Sequence, residues 1–270
     1  MVDKHLIALD LDGTLLKDDK TISEHTKNIL HKVREHGHEV MISTGRPYRS
    51  SEMYYHELKL DTPIVNFNGA FIHHPTDHSF GEYHSPMDLE VVKEIVDACQ
   101  KYHFHNIIAE VKDDVYFHYH DEKLLDIFSL GNPNTTTGDL REFLNEAPTS
   151  LLIHAKEEEV PRIRKHLSDV HAELIDHRRW GAPFHVVEIV KYGLNKAVGV
   201  KKVADYLGIP QKNIIAFGDE DNDLEMLEYV GVGVAMGNGS DEVKNISNKV
   251  TLTNEEDGIA VFLEEYLLKE

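Results

Sequence analysis

The sequence predicts an α/β protein whose parallel sheet is interrupted by an inserted α+β domain, and three features predict it. Short apolar runs alternate with amphipathic stretches at both ends of the chain, the middle has a different texture, and acidic clusters follow two of the apolar runs. His5 to Leu11 reads as a buried strand. After the capping residue Ser23, the residues Thr26, Ile29, Leu30 and Val33 recur at helical spacing until Gly37. Glu39 to Ser43 and Pro63 to Phe67 are further strands, separated by a polar helix around Ser50 to Leu58. Strands and helices in alternation imply right-handed crossovers and a parallel sheet. The pattern returns later, with a helix over Gly193 to Leu207 closed by Gly208 and a strand over Asn213 to Phe217. A short helix over Leu224 to Tyr229, a strand over Val230 to Met236 and a stripe of Ile259, Phe262, Leu263, Tyr266 and Leu267 complete it.

The two ends, residues 1–82 and 189–270, therefore form one discontinuous α/β domain around an insert at 83–188. Within the insert, Asp88 to Tyr102 and Glu157 to Val170 are expected helices. Asn106 to Val111, Val115 to Tyr119, Ser150 to Ala155 and His185 to Val190 are expected strands of a separate sheet. Gly131 to Gly138 is punctuation, and hinges fall near Gly81 to Pro86 and Ile189 to Gly193.

Composition narrows the function. The 270 residues hold 48 Asp plus Glu against 28 Lys plus Arg, a net charge of −20. Such a surplus repels polyanions, so nucleic acid and acidic lipid surfaces are not expected as partners. An anionic substrate would need local neutralisation. The single cysteine, Cys99, cannot form an intramolecular disulfide, the start of the chain lacks the marks of a signal peptide, and no apolar run approaches membrane-spanning length. These features point to a soluble, cytoplasmic protein; nothing in the pattern sets an oligomeric state.

The most informative segment is Asp10-Leu11-Asp12-Gly13-Thr14, at the carboxyl end of the first strand, where open α/β sheets bind ligands. A calcium loop of the EF-hand type would need Gly and Glu where Leu15 and Thr21 stand. Gly218-Asp219-Glu220-Asp221-Asn222-Asp223 follows another buried strand and places a second acidic cluster at the same kind of edge. Converging carboxylates suit a hard cation such as Mg²⁺, whereas Glu220 and Asp221 fit an exposed helix start favoured by the dipole. Thr44-Gly45-Arg46 after the second strand offers a hydroxyl, an approachable amide and a guanidinium, and Lys196 supplies a compact positive charge. Together these groups suit a phosphoryl group.

DLDGT, STGR, a Lys at a helix start and GDEDND, in that order, resemble the four-motif series of the haloacid dehalogenase superfamily. TGRPY, NFNGA, VAMGNGSDEVK and NEEDGIA resemble its Cof-type subfamily IIB phosphatases more narrowly. The resemblance covers both ends and the insert's position. It departs in Asn195, where Ser commonly precedes the Lys, and in Gly239, where Ala is usual. It implies a Rossmann-like parallel-sheet core with an inserted α/β cap, and an Mg²⁺-dependent phosphatase of small phosphomonoesters that works through an aspartyl-phosphate. Asp10 would be the nucleophile and Asp12 the general acid and base. Asp10, the Asp12 carbonyl and Asp219 would hold the metal. Leu11, Thr44, Gly45, Lys196 and Asn222 would bind phosphate, with Arg46 and Asn68 contacting substrate and Asp223 supporting Lys196 or a metal-bound water. A phosphomutase on the same scaffold and a phospho-accepting signalling domain are the rival readings, the latter opposed by Asp12 and the large insert.

Substrate discrimination is expected from cap residues such as Tyr116, His118, His120, Arg178, Arg179, Trp180 and His185, about half of which strand alternation would turn away. The histidine pairs His73-His74, His103-x-His105 and His118-x-His120 lack metal-site spacing and are expected on the surface or in packing. Cys99 is expected as a small buried hydrophobe.

Overall fold

A computed structural model describes residues 3–179 and 185–269. The chain divides into two compact units. The first holds residues 1–46, 51–82 and 195–270, and the second holds residues 47–50 and 83–194.

In the first unit, β1 (Leu6–Leu9) leads to α1 (Glu24–Glu35), whose first turn is capped by the Ser23 hydroxyl accepting from the Thr26 N–H. Thr26, Ile29, Leu30 and Val33 form its buried stripe. β2 (Glu39–Ile42), α2 (Tyr48–Glu57) and the hairpin of β3 (Ile64–Asn66) and β4 (Phe71–His73) follow, before β5 (Glu82–His84) carries the chain into the second unit.

The second unit contains α3 (Leu89–Cys99), β6 (Phe104–Val111), β7 (Asp114–Phe117), α4 (Glu122–Phe128), β8 (Thr135–Thr137) and α5 (Leu140–Phe143). It continues through β9 (Ser150–Ala155), α6 (Val160–His171), β10 (Ile175–Arg179) and β11 (Val186–Lys191). Its six-stranded sheet has the order β10-β11-β9-β6-β7-β8 and is antiparallel except at β7–β8. Alternation sorts its faces. Ile107, Ala109, Leu151, Ile153, Val187 and Ile189 pack with α3 and α6, while Ile108, Val115, Phe117, Leu152 and Val186 share a smaller cluster with Leu124 of α4.

The chain returns through α7 (Lys196–Leu207), β12 (Ile214–Gly218), α8 (Leu224–Tyr229), β13 (Val232–Ala235), α9 (Asp241–Ile246), β14 (Lys249–Val250) and α10 (Gly258–Leu267). The parallel sheet has the order β14-β13-β12-β1-β2. Leu6 and Ala8 pack in one cluster with residues of α7 and α8. On the opposite face Phe217 meets Phe262 of α10, ring centres 5.5 Å apart. Coverage on both sides explains why all four residues of β1 are fully buried and apolar.

Three expectations shift. Pro63 to Phe67 does not extend the parallel sheet as a full strand, because β3 touches it through one bridge, Ser43 to Val65, and pairs antiparallel with β4. The second unit runs on to Leu194, five residues past the expected boundary at 189, and Val187 to Lys191 pair with β10 in its sheet. Residues 47–50 also belong to the insert's unit.

Candidate active site

Three of the four site segments leave the carboxyl ends of the adjacent strands β12, β1 and β2, and the remaining one is the start of α7. Asp10 directly follows β1, and its N–H donates to the Phe217 carbonyl at 3.2 Å, carrying the pairing with β12 into the site. Asp219 directly follows β12. Lys196 opens α7, whose first turn is capped by the Asn195 side chain accepting from the Val198 N–H at 3.1 Å. Asn195 thus does what a Ser would do at that position.

Carboxylate oxygens of Asp10, Asp219 and Asp223 lie within 4.8 Å of one another. Lys196 Nζ donates to Asp10 Oδ1 and to Asp223 Oδ1, each at 2.7 Å, and neither Lys196 nor Asp223 has exposed side chain. The second oxygen of Asp223 accepts from the N–H groups of Asp219 (2.9 Å) and Glu220 (3.2 Å). Both oxygens of Asp223 are thereby engaged by protein. Asp219 Oδ1 accepts from the Thr14 hydroxyl at 2.7 Å.

Three buried carboxyls face one ammonium, so the group is short of positive charge. Burial first, then repulsion from Asp223 and Asp219, holds the Asp10 carboxyl well above its usual range against the pull of Lys196. Burial and Asp223 push Asp219 up to about 7. Lys196, whose burial favours the neutral amine, is held charged by Asp10 and Asp223. The oxygen-only donor set of Asp10, Asp219 and Asp223, with this deficit, fits a hard divalent cation such as Mg²⁺. Among the described residues no other three His, Cys, Asp or Glu side chains come together closely enough to hold a metal ion.

Asp12 is half-exposed and gripped from two sides. Arg46 donates from Nε to Oδ2 at 2.6 Å and from Nη2 to Oδ1 at 2.7 Å, and Lys20 Nζ donates to Oδ1 at 2.8 Å. Burial opposes ionisation here, but Arg46 and then Lys20 overcome it and lower the Asp12 carboxyl to about 2.

The Thr44 hydroxyl accepts from the Arg46 N–H at 3.1 Å. Gly45 lies against Asn68, where an added Cβ would sit 3.2 Å from the side-chain amide. Asn68 is buried, in left-handed backbone at φ 51°, and its Oδ1 accepts from Asn222 Nδ2 at 3.1 Å. Leu11 is fully buried and its carbonyl accepts from the Thr14 and Leu16 N–H groups. The structure therefore gathers Asp10, Asp219, Asp223 and Lys196 into one cluster, pairs Asp12 with Arg46, and links Asn222 through Asn68 to Gly45.

Sequence reasoning gave no role to Thr14 or Lys20. Thr14 stood inside the DLDGT segment and its hydroxyl was a readable signal; nothing local marks Lys20. In the insert, Tyr116 packs with the helix-covered cluster, His118 is buried with Nδ1 accepting from the Leu140 N–H, and Arg179 and His185 face Glu157 at 3.6 and 3.9 Å. Arg178 pairs in register with Glu188, His120 is exposed, and Trp180 lies outside the described residues.

A family model for haloacid dehalogenase-like hydrolases matches residues 7–263. The chain belongs to that family. A Bacillus subtilis protein named 5-amino-6-(5-phospho-D-ribitylamino)uracil phosphatase YitU is 66% identical over 262 residues, 97% of each chain. The pyridoxal phosphate phosphatase YbhA of Escherichia coli is 29% identical over 97% of this chain and 98% of its own. A haloacid dehalogenase-like hydrolase from Bacteroides thetaiotaomicron superposes with a TM-score of 0.83 at 26% identity, covering 97% of this chain and 99% of that one. A subclass IIB sugar phosphatase shares the fold, with a TM-score of 0.82 at 24% identity over 97% and 99% of the two chains. Within the haloacid dehalogenase family this protein is a phosphatase, hydrolysing the phosphomonoester of a small metabolite.

Proposed function

We propose that this phosphatase hydrolyses 5-amino-6-(5-phospho-D-ribitylamino)uracil through an aspartyl-phosphate on Asp10, with Mg²⁺ as cofactor. The 66% identity to a phosphatase named for that compound carries the substrate reading. The buried Asp10–Lys196–Asp223 cluster supports the mechanism. The lone thiol of Cys99, buried and pushed up to about 12 by that burial, accords with a cytoplasmic setting.

Asp10, Asp219 and the Asp12 carbonyl would hold Mg²⁺, which supplies positive charge that lets an anionic carboxylate approach an anionic phosphate. An Asp10 carboxylate oxygen bonds to phosphorus while the ester P–O bond breaks and its electron pair leaves with the ribityl oxygen. Asp12 gives that oxygen a proton. To do so it must first separate from Arg46 and Lys20, which hold it ionised, and gain a proton. Water then attacks phosphorus, Asp12 takes its proton, and the bond between phosphorus and the Asp10 oxygen breaks, releasing inorganic phosphate. Thr44, the Leu11 and Gly45 amides and Lys196 hold the phosphoryl oxygens. Asn222 and Asn68 steady the Gly45 turn, Asp223 fixes Lys196, and Arg46 meets substrate once it leaves Asp12.

Purified protein assayed against a panel of phosphorylated metabolites tests the substrate. The uracil compound should lead in kcat/KM by at least about tenfold; a flat profile, or another leader, overturns the reading. Asp10→Asn should abolish turnover, and residual activity near that of the parent protein would remove Asp10 as nucleophile.

A further inference from the structure

β3 and β4 pair with Asn66 opposite Phe71, so four residues, Phe67 to Ala70, make the turn between them. A loop of that length is most often built around a type I turn, whose central residues have negative φ. Here three residues in succession are left-handed, Phe67 at φ 49°, Asn68 at 51° and Gly69 at 100°. For a bulky residue such as the buried Phe67 this backbone is costly, and it persists only where the surroundings impose it. Joining β3 to β4 does not require it.

The run touches two parts of the candidate site, both within the first compact unit. One is the Thr44–Arg46 turn. The Thr44 N–H donates to the Val65 carbonyl at 2.9 Å, and the Thr44 carbonyl accepts from the Asn68 N–H at 3.1 Å. The Arg46 carbonyl accepts from the Phe67 N–H at 3.3 Å and from Asn66 Nδ2 at 3.0 Å. These bonds fix the backbone of Arg46 and not its side chain, so they persist when that side chain leaves Asp12. The Asn68 side chain fills the space beside Gly45. The other part is the start of α7. Gly69 lies so close to Asn195 that an added Cβ would collide with its carbonyl oxygen and stand 3.2 Å from its carbonyl carbon. Asn195 caps α7, and the next residue is Lys196. About one turn further on, Gly199 in the same way leaves room for Val65 of β3.

Consecutive residues of one strained turn thus meet Gly45 and Asn195. Donors aimed at a transition state act fully only when their places are fixed before substrate arrives. We propose that Asn68 and Gly69 are positioning residues for phosphoryl transfer: Asn68 sets the Gly45 turn and Gly69 sets the start of α7, so that one turn fixes the spacing between the Gly45 amide and the Lys196 ammonium. This rests on the assignment of the Thr44–Gly45 turn and Lys196 to the phosphoryl oxygens above.

Gly69→Ala and Asn68→Gly in the full chain test it, with Gly37→Ala as the comparison. Gly37 is left-handed at φ 90° and has nothing within 4 Å of an added Cβ, so its variant carries the same kind of backbone strain and no collision. Asn68→Gly removes the side chain beside Gly45 and keeps a backbone that accepts positive φ. Each is compared at saturating Mg²⁺ in thermal midpoint, and in kcat and KM on p-nitrophenyl phosphate and on an alkyl phosphomonoester that the parent protein hydrolyses. Inhibition by orthovanadate, which takes the five-coordinate geometry of a phosphoryl group in transfer, is the further readout. Gly69→Ala should lose about tenfold to a hundredfold in kcat, equally on the two esters because both present the same phosphoryl oxygens. KM should change by less than about threefold, and orthovanadate inhibition should weaken in step with kcat. Asn68→Gly should lose about tenfold in the same pattern, and it carries the test if Gly69→Ala does not fold. Gly37→Ala should melt early with the kcat and orthovanadate inhibition of the parent. Values in Gly69→Ala and Asn68→Gly no further from the parent than those of Gly37→Ala overturn the proposal, since the turn is then structural alone. A loss confined to the alkyl ester overturns it as well, because the fault then lies with proton donation. Failure of the phosphoryl assignment shows separately, as a Thr44→Val variant that orthovanadate inhibits as strongly as it does the parent.

Discussion

Lys196 Nζ stands 2.7 Å from a carboxylate oxygen of Asp10 and 2.7 Å from one of Asp223, with none of its side chain exposed. One ammonium thus ties the residue after β1 to the turn after β12, and its removal leaves three buried carboxyls with no counter-charge. Lys196→Met should lower stability by about 3 to 5 kcal/mol, the usual result of stripping one partner from a buried pair. Denaturant melts read this directly. If Lys196 also grips the phosphoryl group, kcat should fall by about a hundredfold or more. A variant as stable and active as the parent contradicts both roles.

Asp12 presents a different test, because proton donation matters in proportion to the basicity of the leaving oxygen. Asp12→Asn should slow an alkyl phosphate by about a hundredfold or more, while attack on p-nitrophenyl phosphate is spared. The second step still lacks its base, so phosphoenzyme should accumulate. Rapid mixing should show a burst of nitrophenol close to one equivalent per active site, followed by slow turnover. Equal losses on both esters with no burst would show that Asp12 does not move the proton.

The parts legible in the sequence are those whose signal is local. Ile214–Gly218 is buried along its whole length and reads as one apolar run, as a parallel strand covered on both faces must. Ile175–Arg179 does not, because among the described residues β10 is an edge strand paired only with β11, and Ile175 is its one buried residue. Thr135–Thr137 is fully exposed and lies inside a turn-rich stretch, so its strand leaves no hydrophobic trace. The site divides in the same way. Asp10, Asp219 and Lys196 end strands or start a helix in recognisable motifs, whereas Arg46 meets Asp12 across 34 residues with nothing local to mark the pair. Asn68 was assigned to substrate contact; its burial against Gly45 and its bond to Asn222 depend on a left-handed backbone that one sequence does not announce.

Asp219 ties stability to pH. In the folded, metal-free protein its carboxyl holds a proton up to about pH 7, against an ordinary value of 3.8. The folded state therefore binds the extra proton, and the associated stability is complete below about pH 4 and lost as pH rises through about 7. Asp10 shifts in the same direction. In EDTA the thermal midpoint should drop between about pH 5 and pH 8, and Asp219→Asn should flatten that slope. Mg²⁺ competes with these protons, so it should raise the midpoint more at pH 8 than at pH 5. A metal-free midpoint that rises over the same interval in the parent protein, by more than in Asp219→Asn, would contradict the buried-carboxyl account.

Gly13 offers a way to disturb the cation site without touching a charge. Its backbone is left-handed, at φ 73°, and a Cβ there would collide with the Asp219 carboxylate. The Asp219 N–H is anchored by Asp223, so relief of the clash falls on the carboxylate, which must give up the bond its Oδ1 accepts from the Thr14 hydroxyl. Gly13→Ala should therefore swing the carboxylate away from Asp10 while leaving Asp10, Asp12 and Lys196 chemically intact. The backbone strain should cost about 1 kcal/mol or more, small enough for the variant to fold. The Mg²⁺ concentration for half-maximal activity should rise by about tenfold or more, in line with the sensitivity of metal sites to groups that orient their ligands. Activity at saturating Mg²⁺ should recover further than in Asp219→Ala, which lacks the ligand altogether. Unchanged Mg²⁺ dependence in Gly13→Ala would mean that Asp219 does not hold the cation.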